Sequence, residues 1–105
     1  MTTTYKTGSI PAAGSGYSDV IGVNEYYSFQ ANWSGVDTND GTLEIEVSND
    51  GTNWNTRPGT PVVMVSIPAS TQVWEILKTS INFVRLKYTR VTATAGSIDW
   101  IFEGT

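Results

Sequence analysis

The chain has 105 residues, of which 15% are charged and 39% are hydrophobic, and its formal net charge is -4. Cysteine and histidine are both absent, which excludes disulfides, serine–histidine and cysteine–histidine catalysis, and most zinc sites. The length corresponds to one domain, and an acidic chain with six basic residues is a poor ligand for polyanions. We therefore expect a single packed domain with no cofactor and no nucleic-acid partner.

Residues 1–22 are interpreted as an N-terminal arm or edge strand in front of a β-sandwich domain that spans residues 23–105. Glycine and proline interrupt the first segment at Gly8, Pro11, Gly14 and Gly16, with short extended pieces between them. No apolar signal segment follows Met1, and no run approaches the roughly 18 apolar residues of a membrane span. This predicts synthesis in the cytoplasm and no membrane partner.

From Glu25 onward, the alternation of apolar and polar residues predicts strands with one buried face. The predicted inward positions are Tyr27, Phe29, Ala31 and Trp33, then Leu43, Ile45 and Val47, then Val84, Leu86 and Tyr88, and finally Ile98, Trp100 and Phe102. The apolar run at residues 62–65 predicts a strand buried on both faces, and residues 71–78 form a further extended piece. About seven to nine short strands at this spacing predict an antiparallel sandwich or a small barrel.

Two glutamates form the first candidate for a catalytic site. Glu44 and Glu46 lie two residues apart on one strand, which places their Cβ atoms roughly 6.5–7 Å apart on the same face. That spacing suits a glycosidase carboxylate pair. The favoured interpretation is a solvated strand face on which Arg85 and Lys87 are cross-strand partners, because nothing nearby would raise the pKa of one carboxyl group. We therefore predict that the protein is not an enzyme.

The loop at residues 37–41, with the sequence DTNDG, resembles part of a calcium-binding loop. Asp37 and Asp40 are weak candidates for metal ligands, because carboxylate oxygens in a loop can hold a hard cation. The spacing differs by one residue from the EF-hand pattern, and no helices are predicted around it. An ordinary Asp- and Asn-rich turn is the favoured interpretation.

The aromatic residues exceed what one small core needs. Four Trp, five Tyr and three Phe occur in the chain, and the inward positions of the strands account for only part of them. The remainder suggests a surface for a protein partner or, as the alternative, a platform for sugar rings. The candidates for this partner interface are Tyr26, Phe83, Ile101, Trp54 and Trp74.

Two segments carry a resemblance to known families. The first is GTLEIEVSNDGTNW at residues 41–54, and the second is NFVRLKYT at residues 82–89, followed by AGSI at residues 95–98 and a closing strand. This strand–turn–Trp unit resembles the discoidin (coagulation-factor type C) jelly roll, in which it is structural and ligands bind through loops at one end. Those domains are usually longer and often cysteine-bridged. In length and layout, residues 26–104 resemble more closely a group of small bacteriophage virion proteins. The fold expected from both is an all-β, antiparallel, jelly-roll-like sandwich.

The virion resemblance implies a non-enzymatic structural protein, most simply a capsid decoration protein on the outer surface of the shell. Its partner would then be the major capsid protein, and the chain would form a homo-oligomer, with a trimer as the expected size. It would be located in the virion after synthesis in the host cytoplasm. In this interpretation the N-terminal arm orders on contact with the partner. The alternative is a carbohydrate-binding or host-adhesin module that uses Trp54, Trp74 or the loop at residues 37–41.

Overall fold

The computed structural model describes residues 4–78 and 80–105, with only the backbone described at residues 76–78. These residues form ten strands, which confirms the all-β prediction. The strands are β1 (Thr4–Pro11), β2 (Gly16–Tyr17), β3 (Ile21–Gly22), β4 (Tyr26–Ser34), β5 (Thr42–Ser48), β6 (Asn55–Thr56), β7 (Val62–Val63), β8 (Ser70–Lys78), β9 (Phe83–Thr89) and β10 (Ser97–Gly104). Within the described chain, no helix is long and apolar enough to cross a membrane.

The strands form two antiparallel sheets. Sheet A has the order β1-β10-β4-β8, and sheet B has the order β2-β9-β5-β6, with β3 also paired to β9 and β7 also paired to β5. The pairs β2/β3 and β6/β7 each occupy one strand position, so each sheet is four positions wide. Because successive strand positions mostly alternate between the sheets, this order is that of a jelly roll.

One apolar core lies between the two sheets, and the alternating residues of the long strands fill it. Phe29 and Phe102 pack edge to face with their ring centroids 5.2 Å apart, and Tyr27 stacks on Phe102 at 6.2 Å. Leu43, Leu86 and other residues of sheet B close the core from the other side. The predicted inward positions of β4, β9 and β10 are all buried, because each of these strands has both neighbours in its sheet.

The apolar run at residues 62–65 differs from its prediction. Only Val62 and Val63 form a strand, Met64 is fully buried, and Val63 and Val65 are 52% and 66% exposed. The prediction of a strand buried on both faces is therefore wrong. Its position explains why: β7 pairs only with the first two residues of β5, at the edge of sheet B, where side chains of the described chain remain open to solvent.

The N-terminal segment is part of the folded sandwich over its described residues. β1 pairs with β10 along its whole length, and β2 and β3 pair with β9 in the other sheet. Ile10, Ala12 and Ile21 belong to the core, with at most 3% of each exposed. A segment that ordered only on contact with a partner would leave these core positions empty, so that hypothesis is not carried further.

Candidate functional site

The two candidate catalytic glutamates lie on the outer face of sheet B, in a network of charges. Glu46 is opposite Arg85, and Glu44 is opposite Lys87, in the pairing of β5 with β9. The Arg85 Nε donates to Glu46 Oε1 at 2.8 Å, and the Lys87 Nζ lies 3.7 Å from Glu44 Oε1 and 3.8 Å from Glu46 Oε2. Thr56 donates a further hydrogen bond to Glu44. Both carboxylates are thus held by partners within the chain, as expected for cross-strand pairs. The expected solvated face is wrong at Glu46, which is 7% exposed because its partners cover it.

Arg85 is the centre of this network, because its guanidinium group lies between two aromatic rings. Its central carbon is 3.9 Å from the centroid of the Tyr17 ring and 4.1 Å from that of the Trp54 ring. Tyr17 is brought there by the pairing of β2 with β9, and Trp54 by the turn after β5. The planar guanidinium group can stack on the rings and donate to Glu46 at the same time. The ammonium group of a lysine could not make both contacts. Trp54 therefore covers an ion pair rather than offering a bare ring face on that side.

Replacing Arg85 is expected to destabilise the fold, because Glu46 is only 7% exposed. Arg85→Met leaves that carboxylate without its closest partner, for a loss of about 2 kcal/mol of unfolding free energy. Arg85→Lys keeps the charge but not the stacking, for a loss of about 1 kcal/mol. Urea denaturation followed by tryptophan fluorescence measures both losses. The matched control is Lys87→Met on the same strand face, for which we expect about 0.5 kcal/mol or less; equal losses at the two positions would contradict the stacked arrangement.

The candidate metal-binding loop is occupied by contacts with another loop. Asp37 accepts hydrogen bonds from the hydroxyl and the backbone N–H of Thr94 and from the N–H of Ala95. Asp40 accepts from the hydroxyl and the N–H of Thr92 and from the Thr38 hydroxyl. The carboxylates thus join the β4–β5 loop to the β9–β10 loop. Within the described residues, no group of three acidic, histidine or cysteine side chains is placed to hold a metal ion.

The turn at residues 48–54 is organised by a single carboxylate. Asp50 accepts hydrogen bonds from the backbone N–H groups of Thr52 and Asn53 at 2.9 and 2.8 Å, from the Asn53 side chain and from the Ser48 hydroxyl. Gly51 has the positive φ of 75° that the sequence pattern predicts. The turn is therefore held by hydrogen bonds among its own residues, and it places the Trp54 ring against Arg85.

Acid is expected to loosen these turns. The N–H groups of Asn53 and Thr52 hold the pKa of Asp50 far below its ordinary 3.8, and hydrogen bonds from Thr94 and from Thr92 lower the pKa values of Asp37 and Asp40. Because the folded pKa values are depressed, the stabilisation is present above pH 3.8 and is lost as the pH falls below it.

Thermal unfolding measured between pH 7 and pH 2 tests this expectation. The melting temperature should stay level down to about pH 4 and then fall. The variant Asp50→Asn should melt at a lower temperature at pH 7 and lose less on acidification. A melting temperature that rose below pH 4, or an unchanged acid slope in the variant, would contradict the role given to these carboxylates.

The remaining interface candidates lie in different places. Trp74 is 6% exposed, and its indole N–H donates to the Thr60 carbonyl at 3.0 Å, so its inclusion among the exposed aromatics is corrected: the ring belongs to the core. Tyr26 is 39% exposed at the start of β4, and Ile101 is half-buried on the outer face of sheet A. Phe83 is half-buried beside the turn at Gly51. These residues do not form one patch, because Tyr26 and Ile101 belong to sheet A, whereas Phe83 belongs to sheet B and Trp54 to the turn after β5.

Most exposed apolar side chains were not found from the sequence. They lie along the two sides of the sandwich, where the sheets have their edges. The side formed by β1, β2 and β3 exposes Tyr5, Tyr17 and Val20, and the side formed by β7, β8 and their connection exposes Val63, Val65, Ile67 and Val73. The sequence offered one indication of the exposed residues Val63, Val65 and Ile67: their apolar run is bounded by Pro61 and Pro68. Proline occurs at sheet edges rather than in central strands, so the run could have been assigned to an edge.

Comparison with known proteins supports the fold alone. No protein-family model matches the chain, and no curated protein matches its sequence. One similar solved structure is described as "Bacillus endospore appendages form a novel family of disulfide-linked pili"; it covers 99% of this chain and 88% of its own, with a TM-score of 0.53 and 14% identity. That neighbour is a bacterial pilus protein and not a phage protein. Of the resemblances drawn from the sequence, the all-β fold is the part that this comparison supports.

Proposed function

We propose that this protein is a non-enzymatic structural protein that acts by association, specifically a bacteriophage virion protein that decorates the outer surface of the capsid. Its partner is the major capsid protein, and it stabilises the shell by binding across subunit joints. The protein is made in the host cytoplasm and resides in the virion. The virion assignment comes from the sequence resemblance of residues 26–104, and the associative role has separate support from the geometry.

The observation that carries the associative role is that the carboxylates bind groups of the chain itself. Five carboxylates that were candidates for chemistry or organise a turn accept hydrogen bonds or ion pairs from within the chain: Asp37, Asp40, Glu44, Glu46 and Asp50. Such groups hold loops and strands in place instead of facing a substrate. Large apolar side chains at the sides of the sandwich remain exposed. A rigid domain of this kind is suited to contact with other proteins.

The solved neighbour supports a structural role in general terms. Its description concerns pili, which are protein assemblies, and it covers nearly the whole of this chain. The linkage named in that description does not transfer, because this chain contains no cysteine. Contacts of this chain with other copies or with a capsid would therefore not be disulfide bonds.

Co-sedimentation with empty shells of the major capsid protein from the same genome tests the proposal. We expect the chain to pellet with the shells at a saturating ratio and to raise the temperature at which they fall apart. Ile101→Lys, on the outer face of sheet A, should weaken the binding at least tenfold. The matched control Thr52→Lys, on an exposed turn of the other sheet, should bind normally. A chain that stays in the supernatant while sugars quench its tryptophan fluorescence would overturn the proposal in favour of the carbohydrate-binding alternative.

A further inference from the structure

The two edges of sheet A are long and have strand partners on one side only. In the part of the chain that the structure describes, β1 (eight residues) pairs with β10 alone within its sheet, and β8 (nine residues) pairs with β4 alone. The edge positions of sheet B are occupied by strands of two residues. Long edge strands present backbone N–H and C=O groups to any further strand. Sheet A is therefore the sheet that can be extended.

The strand directions allow one copy to extend the sheet of another with the antiparallel order of the strands preserved. All neighbouring strands in sheet A are antiparallel, so over the order β1-β10-β4-β8 the first and last strands run in opposite directions. A second copy that continues the sheet, displaced across the strands and rotated by the twist of the sheet, presents its β1 antiparallel to the β8 of the first. The contact is heterologous, because it joins two different surfaces.

The exposed apolar side chains support the same contact. Of the nine large apolar side chains that are exposed in the described chain, seven lie on the two sides that such a displacement brings together. Tyr5, Tyr17 and Val20 lie on the β1 side, and Val63, Val65, Ile67 and Val73 lie on the β8 side. Association would remove apolar surface from water on both sides at once.

One register of the contact continues a row of paired residues across sheet A. Thr7 is opposite Ile101, Ile101 is opposite Gln30, and Gln30 is opposite Val73. These side chains share the outer face, because strand pairs align side chains of one face. Continuing the row places Thr7 of the next copy beside Val73. A slip of one residue would put outer and inner faces in the same row, which the pleat disfavours.

We propose that copies of this chain associate side by side, with β8 of one copy pairing with β1 of the next and Val73 opposite Thr7, so that sheet A continues through a row of copies. This inference rests on the proposed associative role and adds to it a contact between copies, at the β1 and β8 edges of sheet A. Because strands twist by about 20–25° each, the four strands of a copy rotate the next one by about 80–100°. The row is therefore open and does not close into the trimer implied by the resemblance.

Disulfide trapping tests the contact, since the natural chain has no cysteine. The double variant Thr7→Cys/Val73→Cys is oxidised at high protein concentration and separated on a non-reducing gel. Within one copy the two positions are three strand spacings apart, about 14 Å, too far for an internal disulfide. We expect a ladder of covalent multimers that extends beyond the trimer and disappears on reduction.

The controls separate this contact from random collisions and from other geometries. Each single variant, and the matched double variant Thr7→Cys/Thr52→Cys, should give at most faint dimers; circular dichroism verifies that all variants are folded. A double variant with no more multimers than the Thr52 control overturns the inference, as do efficient dimers of a single variant or a ladder that stops at three copies. A ladder from a chain that ignores capsid shells refutes the capsid assignment alone, and shell binding without a ladder refutes the strand contact alone.

Discussion

Gly96→Ala is expected to destabilise the protein by about 3–5 kcal/mol, a large part of the stability of a domain of this size. Gly96 has a φ of 102°, and a Cβ built there would lie 2.7 Å from the Gly35 carbonyl carbon and from the Val36 nitrogen. Those atoms cannot move aside easily, because the Val36 N–H donates to the Pro68 carbonyl and the Ala12 N–H donates to the Gly96 carbonyl. The added methyl group therefore combines backbone strain with a clash against backbone.

The matched control is Gly59→Ala, which separates the two causes. Gly59 also has a positive φ, of 82°, but a Cβ there would meet nothing within 4 Å. We expect a loss of about 1 kcal/mol from strain alone. Urea denaturation of the three proteins gives the comparison. Equal losses at the two glycines would mean that the β4–β5 and β9–β10 loops are not packed as tightly as described.

Phe102→Ala is expected to remove about 3–5 kcal/mol by opening a cavity in the centre of the core. Its ring is fully buried and contacts both Phe29 and Tyr27, which belong to the neighbouring strand β4. The backbone of β10 cannot shift far to close the cavity, because β10 pairs with β1 on one side and with β4 on the other. Phe102→Leu retains most of the volume and should lose about 1–1.5 kcal/mol.

Ile101→Ala on the same strand is the control for this prediction, because Ile101 lies on the opposite face of β10 and is half-buried. We expect it to lose about 1 kcal/mol or less. Unfolding by urea at several temperatures measures the losses. A Phe102→Ala variant no weaker than Ile101→Ala would contradict the position of the core between the sheets.

The long strands could be predicted from the sequence because their information is local. In β4 and β10, the alternation itself identifies the buried face, and both strands are central in their sheet. The turn at Asp50 and Gly51 was predictable for the same reason, since its hydrogen bonds join residues at most three positions apart. Local patterns therefore established the fold class.

The features that involve distant partners could not be read in this way. Arg85 was expected to pair with the glutamates, but its stacking depends on Tyr17, which belongs to a strand of two residues with no pattern of its own. Asp37 and Asp40 bind a loop more than 50 residues away, which turned a candidate metal loop into a structural one. Trp74 was left unassigned because β8 carries an irregularity in its pairing with β4.

The central claim, that this chain is a structural component of an assembled particle, is tested most directly by finding where the protein resides. Particles from cells that produce this protein are banded on a density gradient, and each fraction is analysed by quantitative mass spectrometry. We predict that the chain bands with the major capsid protein at a fixed ratio through every wash that leaves the shells intact. A chain found only in fractions without particles would contradict the claim.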